Sequence, residues 1–217
     1  DEYILASGFS QDKDLLTGTM TRNSRFPERI HRIAERVRRS RGITVEPFRS
    51  RRDVLEHVPE IAMLFNSALG SASVNAPMSV EEIRSMIRVL MLIAKPELIK
   101  LIRKGDEVIG FLLAYPDVGR AVRRSRGRLF PFGWLGMLIE SRRTVRYDLN
   151  GVGILEEHRG AGGLAVLYSE LHKTLSGGRV QEADVIQIRV ENETMLRTLR
   201  EFEVDFNRRH RMYRKQL

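Results

Sequence analysis

The stretch from Glu156 to Gly163 (EEHRGAGG) has the composition of an anion-binding loop. Gly160, Gly162 and Gly163 let a backbone come close to a ligand, and a helical pattern begins directly after them. The unpaired N–H groups at the start of a helix suit a phosphate or pyrophosphate. Neither the Lys-Ser/Thr pair of a P-loop nor a GxGxxG fingerprint is present, so a purely structural turn is the competing interpretation.

Other kinds of chemistry are excluded by composition. The chain of 217 residues contains no cysteine, which rules out disulfides, thiolate catalysis and cysteine-based metal sites. Its five histidines are scattered without metal-ligand spacing, so we expect no metal site. Apolar residues make up 42% of the chain, enough for a packed core at this length.

Arginine dominates the charge. The chain has 37 basic and 28 acidic residues, a formal net charge of +9, and 31 of the basic residues are Arg. The surplus is concentrated between Arg22 and Arg52. Such a balance fits either nucleic-acid binding or a solvated basic helix. We favour the helix, because aromatic residues, which form base-stacking platforms, are only 7% of the chain.

The hydrophobic pattern predicts helices first and a strand–helix–strand unit last. A hairpin around Gly105-Asp106 is expected between them. Asn150-Gly151 indicates either a hairpin turn or a bulge inside one strand, and we favour the bulge. A parallel strand pair follows from the helical crossover. The predicted elements are helices at 26–41, 51–69, 79–94, 118–142, 164–175 and 192–202, and strands at 43–48, 98–104, 107–115, 144–155, 183–190 and 204–213.

This order of elements resembles the GNAT superfamily of N-acyltransferases over roughly residues 43–217. The family's acyl-CoA loop, Q/R-x-x-G-x-G/A, is matched by Arg159, Gly160, Ala161 and Gly162. A second signature, an Asn that opens the next helix, is matched by Asn192. The resemblance implies an α/β (α+β) fold with a central twisted mixed sheet, splayed parallel strands and flanking helices.

The resemblance also implies roles for individual residues. Val152 and Ile154 would lie on a strand splayed from its parallel neighbour, where free backbone groups hold the pantetheine arm. The loop from Arg159 to Gly163 would bind the pyrophosphate of acetyl-CoA, and Asn192 would lie at the same site. Asp148 is placed where some family members carry a general base, with a surface ion pair as its alternative role. The amine would attack the thioester directly, without metal or cysteine.

The chain departs from the family pattern at three positions. Leu164 follows the loop where Gly or Ala is usual, Leu199 stands at the place of a Tyr acid, and Glu203 replaces a Gly. Tyr168 and Tyr213 are other candidate acids, although packing roles are favoured for both. These departures keep a catalytically degenerate, ligand-binding domain open as the alternative function. A basic nucleic-acid-binding module is the third.

We expect residues 1–42 to form an N-terminal extension with a basic amphipathic helix, and 43–217 to form the acyltransferase domain. The segment from Ala6 to Phe9 (ASGF) is similar to the tail of another GNAT domain, which suggests a tandem protein; a plain N-terminal extension is the default interpretation.

The expected partner is a small-molecule or peptide amine. Five arginines between 120 and 128 favour an anionic acceptor or the CoA phosphates. The apolar stretch 129–139 fits a lid or a homodimer contact, with a packed surface helix as the more common explanation. No apolar run reaches the roughly 18–20 residues of a spanning helix, so no membrane partner is expected. The predicted location is the cytoplasm of a bacterial-like cell.

Overall fold

One mixed sheet of seven strands organises the chain. The computed structural model describes residues 1–70, 77–177 and 179–216. The strands are β1 (Ser10–Thr21), β2 (Ile43–Pro47), β3 (Ile99–Lys104), β4 (Glu107–Pro116), β5 (Arg146–Ile154), β6 (Glu182–Arg189) and β7 (Asp205–Arg214). Their order across the sheet is β2-β3-β4-β5-β6-β1-β7. The neighbours β5 and β6 are parallel and the other pairs antiparallel, which confirms the predicted fold class.

Helices lie on both faces of this sheet. Over the described residues they are α1 (Glu2–Ala6), α2 (Glu28–Arg41), α3 (Arg51–Glu56), α4 (Val58–Gly70), α5 (Val80–Leu90), α6 (Gly119–Arg124), α7 (Gly133–Arg143), α8 (Gly163–Gly177) and α9 (Glu193–Glu201). One buried cluster joins α2, α8 and α9 to the sheet. A second joins α3, α4 and α5 to the half formed by β3 and β4.

Local signals in the sequence set several element boundaries. The hairpin is confirmed, since Gly105-Asp106 links β3 to β4. Ser79 caps α5 as predicted: its hydroxyl accepts the Glu82 N–H, and the Glu82 carboxylate accepts the Ser79 N–H. Asn150-Gly151 remains inside β5, where pairing with β4 shifts register, so the bulge is confirmed.

The helix predicted at 51–69 is two helices. α3 ends at Glu56 and α4 begins at Val58, on either side of His57. Pro59 explains the break, because proline has no N–H to donate to the preceding turn and clashes with a continuing helix.

Residues 10–21 form a strand that the sequence pattern does not reveal. β1 lies between β6 and β7 and is buried from Asp14 onward on both faces, so its residues do not alternate between apolar and polar. Register shifts on both sides disturb the period further. Both β1 and α2, from the segment expected as an extension, thus pack into the sheet and its core.

Candidate functional site

The parallel strands β5 and β6 separate halfway along their length. Their pairing runs from Arg146 opposite Glu182 to Leu149 opposite Val185 and then stops. Directly beyond this point β5 bulges against β4, and β6 bulges against β1 with Gln187 at a φ of 57°. Because bulges bend and twist a strand, the two strands diverge and leave a cleft lined by backbone groups.

Val152 and Ile154 both lie on the diverging part of β5. Val152 is half-buried, whereas Ile154 is buried in the core. A Cβ added to Gly163 would lie 3.0 Å from Ile154 Cδ1. The Ile154 side chain therefore packs under the loop, and only its backbone is left to meet a ligand.

The glycine loop joins the cleft to α8. Gly160 and Gly162 adopt φ values of 76° and 86°, which favour glycine. A Cβ at Gly162 would lie 2.5 Å from Val37 Cγ2 of α2, whereas one at Gly160 would meet open space. α8 then begins at Gly163, so the Gly163 and Leu164 N–H groups lack acceptors within the helix, whereas the Ala165 and Val166 N–H groups donate to the Gly162 carbonyl.

A basic pocket adjoins this loop. It has a volume of about 440 Å³, and its lining includes Arg41, Lys104, His158 and Ala161. Arg159, on the loop itself, is exposed with its guanidinium 3.8 Å from the Glu156 carboxylate. Sequence reasoning missed Arg41 and Lys104, because they come from the end of α2 and the end of β3. Only the fold brings them to the loop.

Asp148 lies on the paired half of β5, within a row of polar residues. Tyr115 of β4 and Asp184 of β6 are its register partners on either side. Burial, together with the charges of Asp117 and Asp184, raises the pKa of Asp148 to about 6. No ion pair or hydrogen bond of its carboxylate appears among the described residues. The alternative role in a surface ion pair thus finds no partner there.

Two residues accompany Asp148: Asn150, which strand alternation already predicts on the same face, and Tyr115, which sequence reasoning missed. The Asn150 amide donates to the Tyr115 hydroxyl over 3.0 Å. Burial and the charge of Asp148 raise the pKa of Tyr115, so its hydroxyl stays protonated. Asp148 and Asn150 are two residues apart on β5, and the register with β4 brings Tyr115 beside them. That register cannot be seen in the sequence.

The Asp184 carboxylate is paired with cations. Its carboxylate accepts from Thr19 Oγ1 over 2.7 Å and from the Arg208 guanidinium, and Arg146 lies 3.8 Å away. Asp148, in contrast, has no ion pair among the described residues, although the charges of Arg208 and Arg146 partly offset the rise in its pKa.

The family's acid position holds no acid. Leu199 is buried in the core. Tyr168 is also buried, donates to Met195 Sδ, and has its pKa raised by burial. The Tyr213 hydroxyl donates to the Asp1 carboxylate on the edge strand.

The remaining candidate residues have evident local roles. The Asn192 side chain accepts the Met195 N–H and thereby caps α9. Leu164 is 37% exposed, so it does not fill the core under the loop. Glu203 has a φ of 58°, which explains why glycine is usual there.

A loose group of metal-type ligands lies at one end of the loop. Ligand atoms of Glu107, Glu157 and His158 fall within 4.8 Å of one another. His158 Nε2 already bonds the Glu107 carboxylate at 3.1 Å, and both carboxylates are exposed. This contact anchors the loop to the β3–β4 hairpin.

No protein-family model matches this chain. It is 23% identical over 222 residues to Protein YghO of Escherichia coli K12, a match that covers 99% of this chain and 56% of that protein. The chain thus spans about half the length of its curated relative.

Solved structures share the fold. A GCN5-related N-acetyltransferase from Sphaerobacter thermophilus superimposes with a TM-score of 0.62 at 18% identity, covering 99% of this chain and 55% of that one. A GCN5-related glucosamine N-acetyltransferase region of a fungal multi-domain GH3 β-N-acetylglucosaminidase gives 0.61 at 13% identity, covering 98% and 22%.

The same fold occurs in a third protein. The C-terminal domain of a putative lysylphosphatidylglycerol synthetase from Agrobacterium fabrum gives a TM-score of 0.51 at 9% identity, covering 98% of this chain and 62% of that one. The fold by itself therefore does not fix the acceptor.

Proposed function

With the GCN5-related N-acetyltransferase fold as premise, we propose that this chain is an acyl-CoA-dependent N-acyltransferase. Acetyl-CoA is the proposed donor, and a small-molecule or peptide amine the proposed acceptor. The observation that carries the proposal is the divergence of β5 from β6 after Leu149 and Val185, with a glycine loop at one end and Asp148 at the other.

The donor end of the cleft has the chemistry that CoA requires. The loop N–H groups and Arg159 suit the pyrophosphate, and Arg41 and Lys104 supply cations for the ribose phosphate. Free backbone groups of β5 around Val152 suit the amides of a pantetheine arm. When bound, acyl-CoA supplies a thioester, whose carbonyl is the electrophile.

The acceptor end has a base with a suitable pKa. A carboxylate with a pKa of about 6 is mostly ionised at pH 7 and accepts a proton readily from an ammonium group or through a water. The free amine then attacks the thioester carbon, the C–S bond breaks, and CoA leaves as a thiolate that takes up the second proton released by the nitrogen as the amide forms. Asp148 thus holds the proton that the amine gives up. The cysteine-free composition fits the cytoplasm, where acyl-CoA is made.

Calorimetric titration with acetyl-CoA, CoA and dephospho-CoA tests the donor site. We expect micromolar binding of acetyl-CoA and CoA, and weaker binding of dephospho-CoA, which lacks the ribose phosphate. The Arg41→Gln/Lys104→Gln double variant should lose this preference. Lys95→Gln, an exposed charge paired with Glu97, is the matched control and should keep it.

Two outcomes of this titration would contradict parts of the proposal. Absence of binding at millimolar acetyl-CoA would contradict the enzyme proposal for this chain. An unchanged CoA preference in Arg41→Gln/Lys104→Gln would leave the fold assignment intact but remove the basic pocket from the donor site.

The second candidate is a ligand-binding domain that has lost catalysis. It is favoured by buried Leu199 at the position of the family's acid. The test measures CoA binding, and it measures acyl transfer to a panel of amines through the free thiol of the CoA released. Tight binding with no thiol release would support this candidate over the enzyme.

A further inference from the structure

The segment between β4 and β5 exposes a group of large apolar side chains. Phe130 and Phe132 are 80% and 75% exposed at the tip of the loop that joins α6 to α7. Trp134 is 50% exposed beside them. We call Leu129–Trp134 the aromatic tip. Further exposed apolar residues of the same segment are Val122, Leu135 and Ile139. Folded domains rarely leave such a group in water unless it contacts something.

Two hydrogen bonds within the aromatic tip fix its shape. The Trp134 N–H donates to the Leu129 carbonyl and its indole N–H to the Pro131 carbonyl, both over 3.0 Å. A Cβ on Gly133 would lie 1.9 Å from the Arg128 carbonyl oxygen, so the turn needs glycine. Both N–H groups of Trp134 therefore keep their partners when the tip leaves water, which lowers the cost of entering an apolar medium.

Cations surround the tip. Residues 119–143 contain seven arginines and one acidic residue, Glu140, a surplus of 7 − 1 = 6 positive charges. Glu140 is buried and faces the Arg124 guanidinium at 3.5 Å. All seven arginines are exposed: Arg120, Arg123, Arg124, Arg126, Arg128, Arg142 and Arg143. The complementary surface is therefore apolar beneath and anionic at its rim.

We propose that the aromatic tip and its arginines dock this domain onto the surface of a bilayer that contains anionic phospholipids. The aromatic rings enter the boundary between headgroups and acyl chains, and the guanidinium groups bind lipid phosphates. Over the described residues no helix is long and apolar enough to cross a membrane, so the contact is interfacial. This replaces the expectation that the chain has no membrane partner.

The position of the tip gives the docked domain an orientation. The segment leaves the sheet at the end of β4 and returns at Arg146, the start of β5. The glycine loop follows the other end of β5, so the aromatic tip and the loop lie at opposite ends of this strand. Asp148 is the third residue of β5. Docking therefore turns the acceptor end of the cleft, and not the donor end, toward the bilayer.

Trp134 is the single tryptophan of the chain, so its fluorescence reports directly on the tip. The full chain is titrated with vesicles of phosphatidylcholine containing phosphatidylglycerol, and with vesicles of phosphatidylcholine alone. We expect a blue shift of the emission and quenching by brominated acyl chains with the anionic vesicles. The affinity should fall as salt is added.

Variants separate the contribution of the tip from that of general charge. Phe130→Ser/Phe132→Ser, which keeps Trp134 as the reporter, should weaken partitioning at least tenfold. Arg126→Gln and Arg128→Gln should each cost about fivefold, the equivalent of about 1 kcal/mol per cation near a charged surface.

Matched controls lie elsewhere on the domain. Val89→Ser/Leu92→Ser removes exposed apolar side chains at the end of α5, and Arg32→Gln/Arg36→Gln removes exposed charges of α2. Both controls should partition like the parent.

Three results would overturn the proposal. The first is an unshifted Trp134 emission with anionic vesicles. The second is loss of binding in Arg32→Gln/Arg36→Gln but not in Phe130→Ser/Phe132→Ser. The third is that the parent forms a dimer that does not bind vesicles, and that Phe130→Ser/Phe132→Ser does not form this dimer. This result would assign the tip to a contact between copies of the chain. Acyl transfer to a dissolved amine is unaffected by these outcomes, so the function and the docking are tested separately.

Discussion

At the scale of single residues, the environment of Asp148 decides how readily its carboxylate accepts a proton. A carboxylate in water has a pKa near 4 and is a weak base at neutral pH. Burial and the neighbouring carboxylates of Asp117 and Asp184 raise the pKa of Asp148 to about 6, closer to the optimum for accepting a proton. The neighbouring strands provide this environment through register.

Replacing Asp148 with Asn should lower kcat by about 100-fold, the lower end of what a positioned base contributes, and leave the affinity for CoA nearly unchanged. Since Asp148 acts when deprotonated, kcat/KM of the parent should rise as the pH rises through about 6. The pH–rate profile of the variant should lack this limb. Asp106→Asn, in the exposed β3–β4 turn, is the control. Equal turnover in Asp148→Asn would exclude Asp148 as the base.

At the scale of elements, the connection from α9 to β7 carries local strain. The Val204 N–H donates to the Leu199 carbonyl, so the chain closes the helix with Glu203 in the left-handed region at a φ of 58°. Glycine adopts this conformation without the penalty that a Cβ causes.

Glu203→Gly should therefore stabilise the domain by about 1 kcal/mol, although it loses an exposed hydrogen bond from the Arg25 N–H. The midpoint of urea unfolding should increase. Glu203→Ala, which removes the carboxylate but keeps the Cβ, should not be stabilising. A gain in the Ala variant would instead point to the charge of Glu203.

The interface between α2 and α8 contains a histidine pair. His172 Nδ1 lies 2.9 Å from His31 Nε2, and its ring stacks on Phe26 at 4.6 Å between centroids. Burial, and the charge of His31, lower the pKa of His172. The packed helices therefore favour the neutral imidazole.

Stability should consequently fall as the pH drops below about 6.5, where the unfolded chain gains a proton at His172 before the folded domain does. His172→Gln should reduce this pH dependence of the free energy of unfolding between about pH 5 and 7. His158→Gln, the control, leaves the His31–His172 pair intact and should keep this pH dependence. An identical slope in His172→Gln and the parent would remove His172 as the source.

At the scale of the whole molecule, β1 joins the two ends of the chain. It pairs with β6 on one side and β7 on the other, and buried Asp14 accepts hydrogen bonds from Arg209 and Arg211 of β7. The Arg211 hydrogen bond holds the pKa of Asp14 below its usual range. The sheet beyond β6 thus depends on a segment that precedes the glycine loop by more than a hundred residues.

Deleting residues 1–22 should prevent cooperative folding, because β7 loses its only neighbour in the sheet and β6 becomes an exposed edge. Circular dichroism should then show no sharp thermal transition. Deleting residues 1–9 removes α1, which buries no residue, and should leave the melting temperature almost unchanged. A fully folded chain 43–217 would show that the extension is dispensable.

The sequence by itself determined the elements whose signals are local. The Ser79 capping box, the Gly105-Asp106 turn, the bulge in β5 and the parallel pair across α8 all follow from residues close together in the chain. It also predicted the position of the glycine loop, because the residues of this loop are contiguous in the chain. These features depend on backbone preferences that neighbouring residues impose.

Only the tertiary structure decided the features that depend on distant residues. The burial of β1 on both faces removes its periodicity, so its place between β6 and β7 is invisible in the pattern. Likewise, Arg41 and Lys104 reach the loop, and Tyr115 and Asp184 flank Asp148, only through strand register and helix packing. A pKa depends on burial and charges in space, and therefore on the folded chain as a whole.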